Sequence, residues 1–236
     1  MTPAHEEGFY KRQYGGGINA LDGFDASAGA VFAPGQRYHL AYEKISLRAK
    51  PDDLLVELGT GNGKYLLYLC NKLGIRRAVG IDIAFESPSD HSGVRFFNHN
   101  LNEDWPFESG SVDHLIAMMV FEHLFDPFHT FSEVARTLSP SGRAYVNLPL
   151  VTALPNRLRL LSGKVPVTSV SEDRWFSERH WDGNHLHYYS VDLIKKLAKL
   201  TGLEVGDMRG VGRFYRLKSA FPSLLAGELT FSLTRL

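Results

Sequence analysis

Short apolar runs alternate with amphipathic stretches through the middle of this 236-residue chain. Residues 54–56, 78–83 and 112–119 are mostly apolar, which is typical of parallel strands that are buried on both faces. Residues 128–138 instead carry apolar side chains at helical spacing. Strands that alternate with helices in this way predict βαβ units and a mostly parallel sheet.

Further strand candidates extend the predicted sheet towards the C-terminus. They are residues 94–97, 143–148, 203–206 and 229–234. The last of them alternates apolar and hydroxyl side chains, which predicts a strand with one buried face. Before it, Ser190 is a favourable N-cap for a helix that reaches Leu200, and Gly202 follows where that helix ends.

Two stretches break the pattern and suggest a division of the chain into four parts. Residues 1–50 are rich in glycine and aromatic side chains, and residues 151–189 mix prolines, arginines and tryptophans. We expect an N-terminal helical and aromatic segment over a ligand site (1–50) and a ligand-binding core (51–150). An inserted cap (151–189) follows, and a C-terminal helix with a strand pair (190–236) completes the sheet.

Composition narrows the class of protein. The chain has 26 basic and 26 acidic residues, whereas a nucleic-acid-binding protein usually shows a basic excess, so we expect no nucleic-acid partner. A single cysteine excludes an intrachain disulfide and fits a reducing compartment. Residues 1–7 carry acidic residues and no apolar core, so we expect no secretory signal in them, and no apolar run reaches the roughly 20 residues of a membrane span. We therefore expect a cytoplasmic protein without a membrane partner.

A glycine-rich turn lies between the first apolar run and the first helix. It consists of Glu57-Leu58-Gly59-Thr60-Gly61-Asn62-Gly63. Glycines let the backbone turn sharply and approach a ligand closely. The G-x-G-x-G spacing differs from the G-x-G-x-x-G of dinucleotide-binding proteins, which disfavours a nicotinamide-dependent oxidoreductase.

This turn resembles motif I of the class I S-adenosylmethionine-dependent methyltransferases, and other segments resemble that family in the same order. They are Gly80-Ile81-Asp82, Asn100-Leu101, Trp105-Pro106-Phe107, Met118–Leu124 and Leu138–Arg143. The resemblance implies an α/β, Rossmann-like fold with a seven-stranded, mostly parallel sheet between helices. Its last strand would be antiparallel, and a cap would follow strand five. The implied cofactor is S-adenosylmethionine, with S-adenosylhomocysteine as product.

The resemblance also implies a set of cofactor-binding residues. Asp82 would accept hydrogen bonds from the ribose hydroxyls, and Asn100 and Leu101 would meet the adenine. The family usually has Asp at the position of Asn100. The complete implied set is Glu57, Gly59, Thr60, Gly61, Gly63, Asp82, Asn100, Leu101 and Met118.

Methyl transfer from a sulfonium needs positioning and, for an oxygen or nitrogen acceptor, a general base. The reaction requires no metal and no covalent intermediate, and we expect neither. Cys70, the only cysteine, lies on the apolar face of a predicted helix, so we expect it in the core and not as a nucleophile. The candidate bases are Glu122, His123, His129, His185, His187 and Tyr188. His185 is the preferred base because the cap should lie over the methyl group. A structural role, in which His185 hydrogen-bonds the cap to the core, would explain a histidine at this position equally well. Helix capping is favoured over catalysis for Glu122 and His123.

Aromatic residues are candidates for the wall of the acceptor pocket, although aromatic side chains are more often core. They are Tyr10, Tyr14, Tyr38, Trp175 and Trp181. The leading hypothesis is a methyltransferase, monomeric or homodimeric, that acts on a hydroxyl or amine of a small molecule. A weaker resemblance to methyltransferase-like proteins of methionine biosynthesis and polysaccharide clusters leaves an alternative, a non-catalytic partner that regulates a biosynthetic enzyme.

Overall fold

A computed structural model describes residues 8–10, 18, 25–85, 89–91, 93–179 and 181–236. In this part of the chain, eight strands form one sheet in the order β3-β4-β2-β1-β5-β6-β8-β7. The strands are β1 (Leu54–Leu58), β2 (Arg77–Asp82), β3 (Ser89–His91), β4 (Val94–Asn98), β5 (Val112–Met118), β6 (Leu138–Pro149), β7 (Leu203–Gly210) and β8 (Glu228–Arg235). Tyr14 lies outside the described residues.

The five central strands, β4, β2, β1, β5 and β6, pair in parallel. Strand β8 runs antiparallel to both β6 and β7, as predicted for the last strand. The predicted α/β, Rossmann-like architecture with helices on both faces is confirmed.

One edge of the sheet carries an eighth strand that the sequence analysis did not predict. Strand β3 pairs antiparallel with β4 and has three residues, which is too short for a periodic pattern. Gly93 forms the turn between them with φ = 84°, and a Cβ there would lie 2.5 Å from the carbonyl oxygen of Arg76. Glycine is therefore required at the turn for both its conformation and its size.

The prediction that the last strand has one buried face was wrong. Strand β8 lies between β6 and β7, so Thr230 and Ser232 are as buried as the apolar residues beside them. Two hydrogen bonds compensate for the burial of the Thr230 hydroxyl, because it accepts one from the Asn147 side chain and donates one to the carbonyl of Arg37.

Helices cover both faces of the sheet. They are α1 (His39–Ser46), α2 (Lys64–Leu73), α3 (Pro127–Thr137), α4 (Leu154–Leu161), α5 (Glu172–Glu178), α6 (Val191–Leu200), α7 (Tyr215–Ala220) and α8 (Pro222–Leu225). The Asp126 side chain caps α3 and the Ser190 side chain caps α6. None of the described helices is both long and apolar enough to span a lipid bilayer.

The sheet separates two hydrophobic cores. Alternate residues of β1 point into opposite cores. Val56 and Leu58 pack in the core on the side of α3 and α6, and Leu55 packs in the core on the side of α1 and α2. Cys70 is buried in the second core, as predicted.

Residues 151–189 contain α4, α5 and a 3-10 turn over Trp181–Asn184. The segment leaves the sheet after β6 and returns beside it, where Leu150 and Tyr189 form an isolated parallel bridge. Asn156 on α4 donates to and accepts from the backbone of Val167, which folds the segment onto itself.

Glu133 on α3 fixes the chain that leads into β5. Its carboxylate accepts hydrogen bonds from the Trp105 backbone N–H and from Arg136, and Arg136 also donates to the carbonyls of Trp105 and Phe107. Burial raises the pKa of Glu133, but the bonds from Arg136 and Trp105 outweigh this and leave the pKa below its usual value.

We expect Glu133→Ala to lower the free energy of unfolding by about 1–3 kcal/mol, because it leaves the buried N–H of Trp105 and the Arg136 guanidinium without their acceptor. Urea denaturation measures the effect, with the exposed Glu103→Ala as control. Equal stability of the two variants would show that this network does not hold the loop.

Candidate active site

A pocket opens at the carboxyl ends of the parallel strands, where the strand order reverses between β1 and β5. Ligands of open α/β sheets bind at such switch points. The pocket contains about 600 Å³ of empty space, part of it open to solvent. Its lining residues are Tyr10, Gly59, Asp82, Ile83, His99, Asn100, Leu101, Met119, Val120, His123 and Leu124.

The glycine turn forms one wall of this pocket. Gly59 has φ = 65°, and a Cβ there would lie 2.5 Å from Cγ2 of Val120, which follows β5. The missing side chain therefore lets the ends of β1 and β5 approach each other. The Thr60 N–H donates to the carbonyl of Ile81 at 3.0 Å, which attaches the turn to β2.

Asp82 stands at the end of β2 beside the turn. One carboxylate oxygen accepts the Gly61 N–H at 3.0 Å, and the other accepts the Ala84 N–H at 3.1 Å. The carboxylate also lines the pocket. Asp82 thus fixes the turn and presents acceptor oxygens to a ligand at the same place.

Glu57 lies under the turn and is only 1% exposed. Its two oxygens accept hydrogen bonds from the hydroxyls of Tyr38 and Thr60, both at 2.7 Å. Burial raises the pKa of Glu57 to about 7, although these two bonds oppose the shift. Its contacts are those of a residue that shapes the turn from below.

The structure brings together most of the residues that were predicted for the cofactor. Gly59, Asp82, Asn100 and Leu101 line the pocket, while Thr60, Gly61 and Gly63 belong to the turn behind Gly59. Met118 is buried in the core, and the next residue, Met119, lines the pocket instead.

Sequence reasoning missed several lining residues, namely Ile83, His99, Met119, Val120 and Leu124. Each is the last residue of a predicted strand or follows one within a few residues, so its position at a carboxyl end was the available signal. Met119 has φ = 59°, which is uncommon for a residue with a side chain. This local turn, which no sequence pattern marks, brings Met119 to the pocket.

Tyr10 connects the N-terminal segment to the pocket, and its position there agrees with the prediction of an aromatic wall. Its hydroxyl donates to the carbonyl of His123 at 2.5 Å and accepts from the Asn102 side chain at 3.1 Å. The Asn102 side chain also accepts the Phe125 N–H at 2.8 Å. These bonds join the turn after β4 to the turn after β5.

A cluster of three side chains, Glu122, His123 and His185, borders the pocket at His123. One nitrogen or oxygen atom of each lies within 4.8 Å of the others. The two imidazole rings meet edge to face, with 4.9 Å between their centroids. The Glu122 carbonyl accepts N–H groups from Leu186 and His187, which holds the segment carrying His185 against the turn that carries Glu122 and His123.

Hydrogen bonds fix the tautomer of both histidines. Nδ1 of His123 lies 3.2 Å from the carbonyl oxygen of Asn184, which accepts only, so Nδ1 carries the proton. Nδ1 of His185 lies 2.7 Å from the Thr168 hydroxyl, which already donates to Asp182, so this Nδ1 is also the donor. Nε2 therefore holds the lone pair in both neutral rings.

Burial sets the charge of the cluster. It lowers the pKa of His123 to about 4, with a further contribution from His185, and it lowers the pKa of His185 as well. Burial also raises the pKa of Glu122 to about 8. Both imidazoles are therefore neutral near pH 7.

The other predicted bases lie apart from this cluster. His129 contacts the carbonyl of Glu103, and His187 contacts the carbonyl of Phe125. Among the predicted pocket aromatics, Tyr38 is buried over Glu57, and Trp175 packs against the exposed Trp181 within residues 151–189. None of these residues lines the pocket.

The profile of a family described as "Methyltransferase domain" matches residues 35–206, about three quarters of the chain. The chain belongs to this methyltransferase family. It is also 31% identical over 181 residues to a probable S-adenosylmethionine-dependent methyltransferase of Mycolicibacterium smegmatis. That match covers 75% of this chain and 61% of the relative, so the chain spans less than two thirds of the relative's length.

Solved structures share the fold at low sequence identity. A methyltransferase in complex with the Trm112 activator of Haloferax volcanii has a TM-score of 0.58 and 20% identity over 89% of this chain and 94% of that one. Geranyl diphosphate C-methyltransferase of Streptomyces coelicolor, in complex with Mg²⁺, geranyl diphosphate and S-adenosylhomocysteine, has a TM-score of 0.59. Its identity is 14% over 100% of this chain and 99% of that one. The comparisons support the predicted family and its cofactor, S-adenosylmethionine.

The raised pKa of Glu57 predicts how stability depends on pH. The folded protein retains this proton up to about pH 7, whereas an unfolded glutamate loses it near pH 4.5. The free energy of unfolding should therefore fall, relative to Glu57→Gln, as the pH rises from 4.5 to 7. The full effect is at most about 3 kcal/mol.

Urea denaturation of the ligand-free protein between pH 4.5 and pH 8 measures this difference. Glu204→Gln, at an exposed position of β7, is the control and should parallel the unmodified protein at every pH. If the curve for Glu57→Gln also parallels it, Glu57 titrates in the folded protein as it does in the unfolded chain, and our account of its burial is wrong.

Proposed function

We propose that the protein transfers a methyl group from S-adenosylmethionine to a hydroxyl or amine group of a small molecule. The observation that carries this proposal is the shared pocket of Gly59, Asp82, Asn100, Leu101 and His123. Four of these match the cofactor motifs of the methyltransferase family, and the fifth is a predicted catalytic residue.

The pocket suggests where each part of the cofactor binds. Asp82 offers carboxylate oxygens to the ribose diol, and Asn100 and Leu101 offer a polar and an apolar contact to the adenine. The turn at Gly59 lets the ligand approach the backbone at the end of β1. The methyl group would then point towards the end of β5, where Met119, Val120 and His123 lie.

The reaction is an in-line displacement. An oxygen or nitrogen lone pair of the acceptor forms the new bond to the methyl carbon, and the carbon–sulfur bond breaks with its electron pair going to sulfur. The products are the methylated acceptor and S-adenosylhomocysteine. The acceptor loses one proton, which a nearby base takes up.

His123 is the group best suited to contact the acceptor, because it lines the pocket. Its low pKa keeps it neutral, and its Nε2 lone pair is able to accept a hydrogen bond from an acceptor group. For a hydroxyl acceptor a weak base is sufficient once the methyl bond forms, since the attacking oxygen then becomes strongly acidic. His185 lies against His123 and acts, in this proposal, as a positioning residue.

The non-catalytic alternative would use the same fold as a regulatory subunit for another enzyme. No described contact favours it, whereas the pocket and its neutral histidine favour catalysis. A chain that fails to bind S-adenosylmethionine but copurifies with a biosynthetic enzyme would reverse this preference.

Asp82→Ala should weaken the binding of S-adenosylmethionine by about 1.5–3 kcal/mol, the value of a charge-assisted hydrogen bond, or roughly 10- to 150-fold in Kd. Asp82→Asn keeps one acceptor oxygen, so its affinity for S-adenosylmethionine should lie between those of the unmodified protein and Asp82→Ala. Calorimetric titration measures both, with Asp90→Ala on the edge strand β3 as control. Unchanged affinity of Asp82→Ala would refute the ribose assignment.

His123→Gln should lower turnover by roughly 100-fold or more while cofactor binding is retained, because proton acceptance by a positioned side chain typically contributes 10²- to 10⁴-fold. The assay follows label from methyl-tritiated S-adenosylmethionine into small molecules of an extract. His129→Gln, which lies outside the pocket, is the matched control. Equal turnover of the two variants would eliminate His123 as the base.

A further inference from the structure

Glu122 has an environment that its place in the fold does not explain. Its side chain is 0% exposed, and no other described residue donates a hydrogen bond to either carboxylate oxygen. A buried carboxyl group without a hydrogen-bond donor is costly when it is ionised, and ionised groups in such places are normally paired or bound to a cation.

Arg37 does not supply this partner. Arg37 is close enough to influence Glu122 electrostatically, but its guanidinium is committed to Glu228. Two parallel hydrogen bonds of 2.6 and 3.0 Å join Arg37 to that carboxylate. This bidentate pair holds the Arg37 guanidinium on Glu228, so Arg37 is not the partner of Glu122.

The side chains around Glu122 are neutral groups that can coordinate a metal ion, not cations that could pair with the carboxylate. Nε2 of His123 lies 4.0 Å from one oxygen of Glu122, and both His123 and His185 hold their lone pair on Nε2. Two neutral imidazoles and one carboxylate form a common three-residue set for a divalent metal ion with open coordination positions.

The outer contacts of both histidines also match those of metal ligands. A metal-bound histidine typically donates its second ring N–H to a carboxylate, a backbone carbonyl or a comparable acceptor, which orients the ring. His123 donates to the carbonyl of Asn184, and His185 donates to Thr168. Thr168 in turn donates to the buried Asp182, which also accepts the backbone N–H groups of Thr168 and Ser169.

We propose that Glu122, His123 and His185 bind one divalent transition-metal ion of the zinc, cobalt, iron or manganese type. Imidazole ligands disfavour magnesium and calcium, which prefer oxygen atoms. Small side-chain movements are sufficient, since one nitrogen or oxygen atom of each residue already lies within 4.8 Å of those of the other two.

This site would deepen the proposed function, on which the following step rests. His123 belongs to both the cluster and the pocket, so an open coordination position would face the acceptor. In that case Nε2 of His123 would hold the ion instead of accepting the proton. The ion would bind the acceptor oxygen and lower the pKa of the hydroxyl, so that its proton passes to solvent and the oxygen lone pair then attacks the methyl carbon. The acceptor class then narrows to molecules with a hydroxyl group.

Metal binding is tested on the full chain after removal of metal by a chelator. We expect Co²⁺ to bind at one ion per chain with visible d–d absorption, and Zn²⁺ to displace it. Glu122→Gln and His185→Gln should each weaken Co²⁺ binding by more than the roughly 10- to 100-fold that loss of an outer contact costs. His129→Gln should bind as the unmodified protein does. Co²⁺ binding that is absent, or unchanged in Glu122→Gln, would overturn the proposal.

Thr168→Val provides a second test that leaves all three proposed ligands in place. It removes the acceptor that orients His185, so Co²⁺ binding should weaken by about 10- to 100-fold. Because the substitution is nearly isosteric, it also tests the site if Glu122→Gln does not fold. Unchanged Co²⁺ affinity in Thr168→Val would contradict the orienting role of its hydroxyl and count against the site.

Two measurements separate this inference from the proposed function. Calorimetry with S-adenosylmethionine on the metal-free protein tests the cofactor site alone, and Co²⁺ absorption without the cofactor tests the metal site alone. Cofactor binding without Co²⁺ binding would overturn only the metal proposal. Co²⁺ binding without cofactor binding would uphold the metal site and overturn the proposed function.

Discussion

The reversal of strand order between β1 and β5 is the constraint on which the rest of this structure depends. The chain proceeds from β1 to one side through β2 and β4, and to the other side through β5 and β6. The connections on the two sides therefore diverge and leave a crevice at the carboxyl ends. The turn at Gly59, the carboxylate of Asp82 and the turn at His123 all meet there because of this reversal.

Buried carboxylates have three different roles in this protein, and their partners distinguish them. Glu57 has two hydroxyl donors and shapes the glycine turn, and Glu133 has an arginine and a backbone N–H and fixes the loop before β5. Glu122 has no donor from any other described residue and instead faces two histidines. The first two environments account for structure, and the third is the environment of a site that binds a cation.

Much of the fold and of the candidate site could be predicted because the signals are local. Most central strands contain a short apolar run, and Gly59, Asp82 and Asn100 each lie at the end of one of these runs or within a few residues after it. The buried character of β8 could not be predicted, because it depends on the insertion of this strand between β6 and β7.

The Glu122–His123–His185 cluster could not be predicted either, and we expected no metal from the sequence. More than sixty residues separate His123 from His185, so no motif spacing connects them. They meet because Asp182, Gly183 and Asn184 adopt a left-handed turn that turns the chain back onto the end of β5. Asp and Asn tolerate that conformation better than most residues, but the partner of such a turn is visible only in three dimensions.

The central claim is that the crevice beside Gly59 binds S-adenosylmethionine. Side-by-side calorimetric titrations with S-adenosylhomocysteine and with NAD test it most directly, because both ligands carry an adenosine and only one fits the proposed chemistry. Our account predicts saturable binding of one S-adenosylhomocysteine per chain and no heat of binding from NAD. Binding of NAD, or of neither ligand, would contradict it.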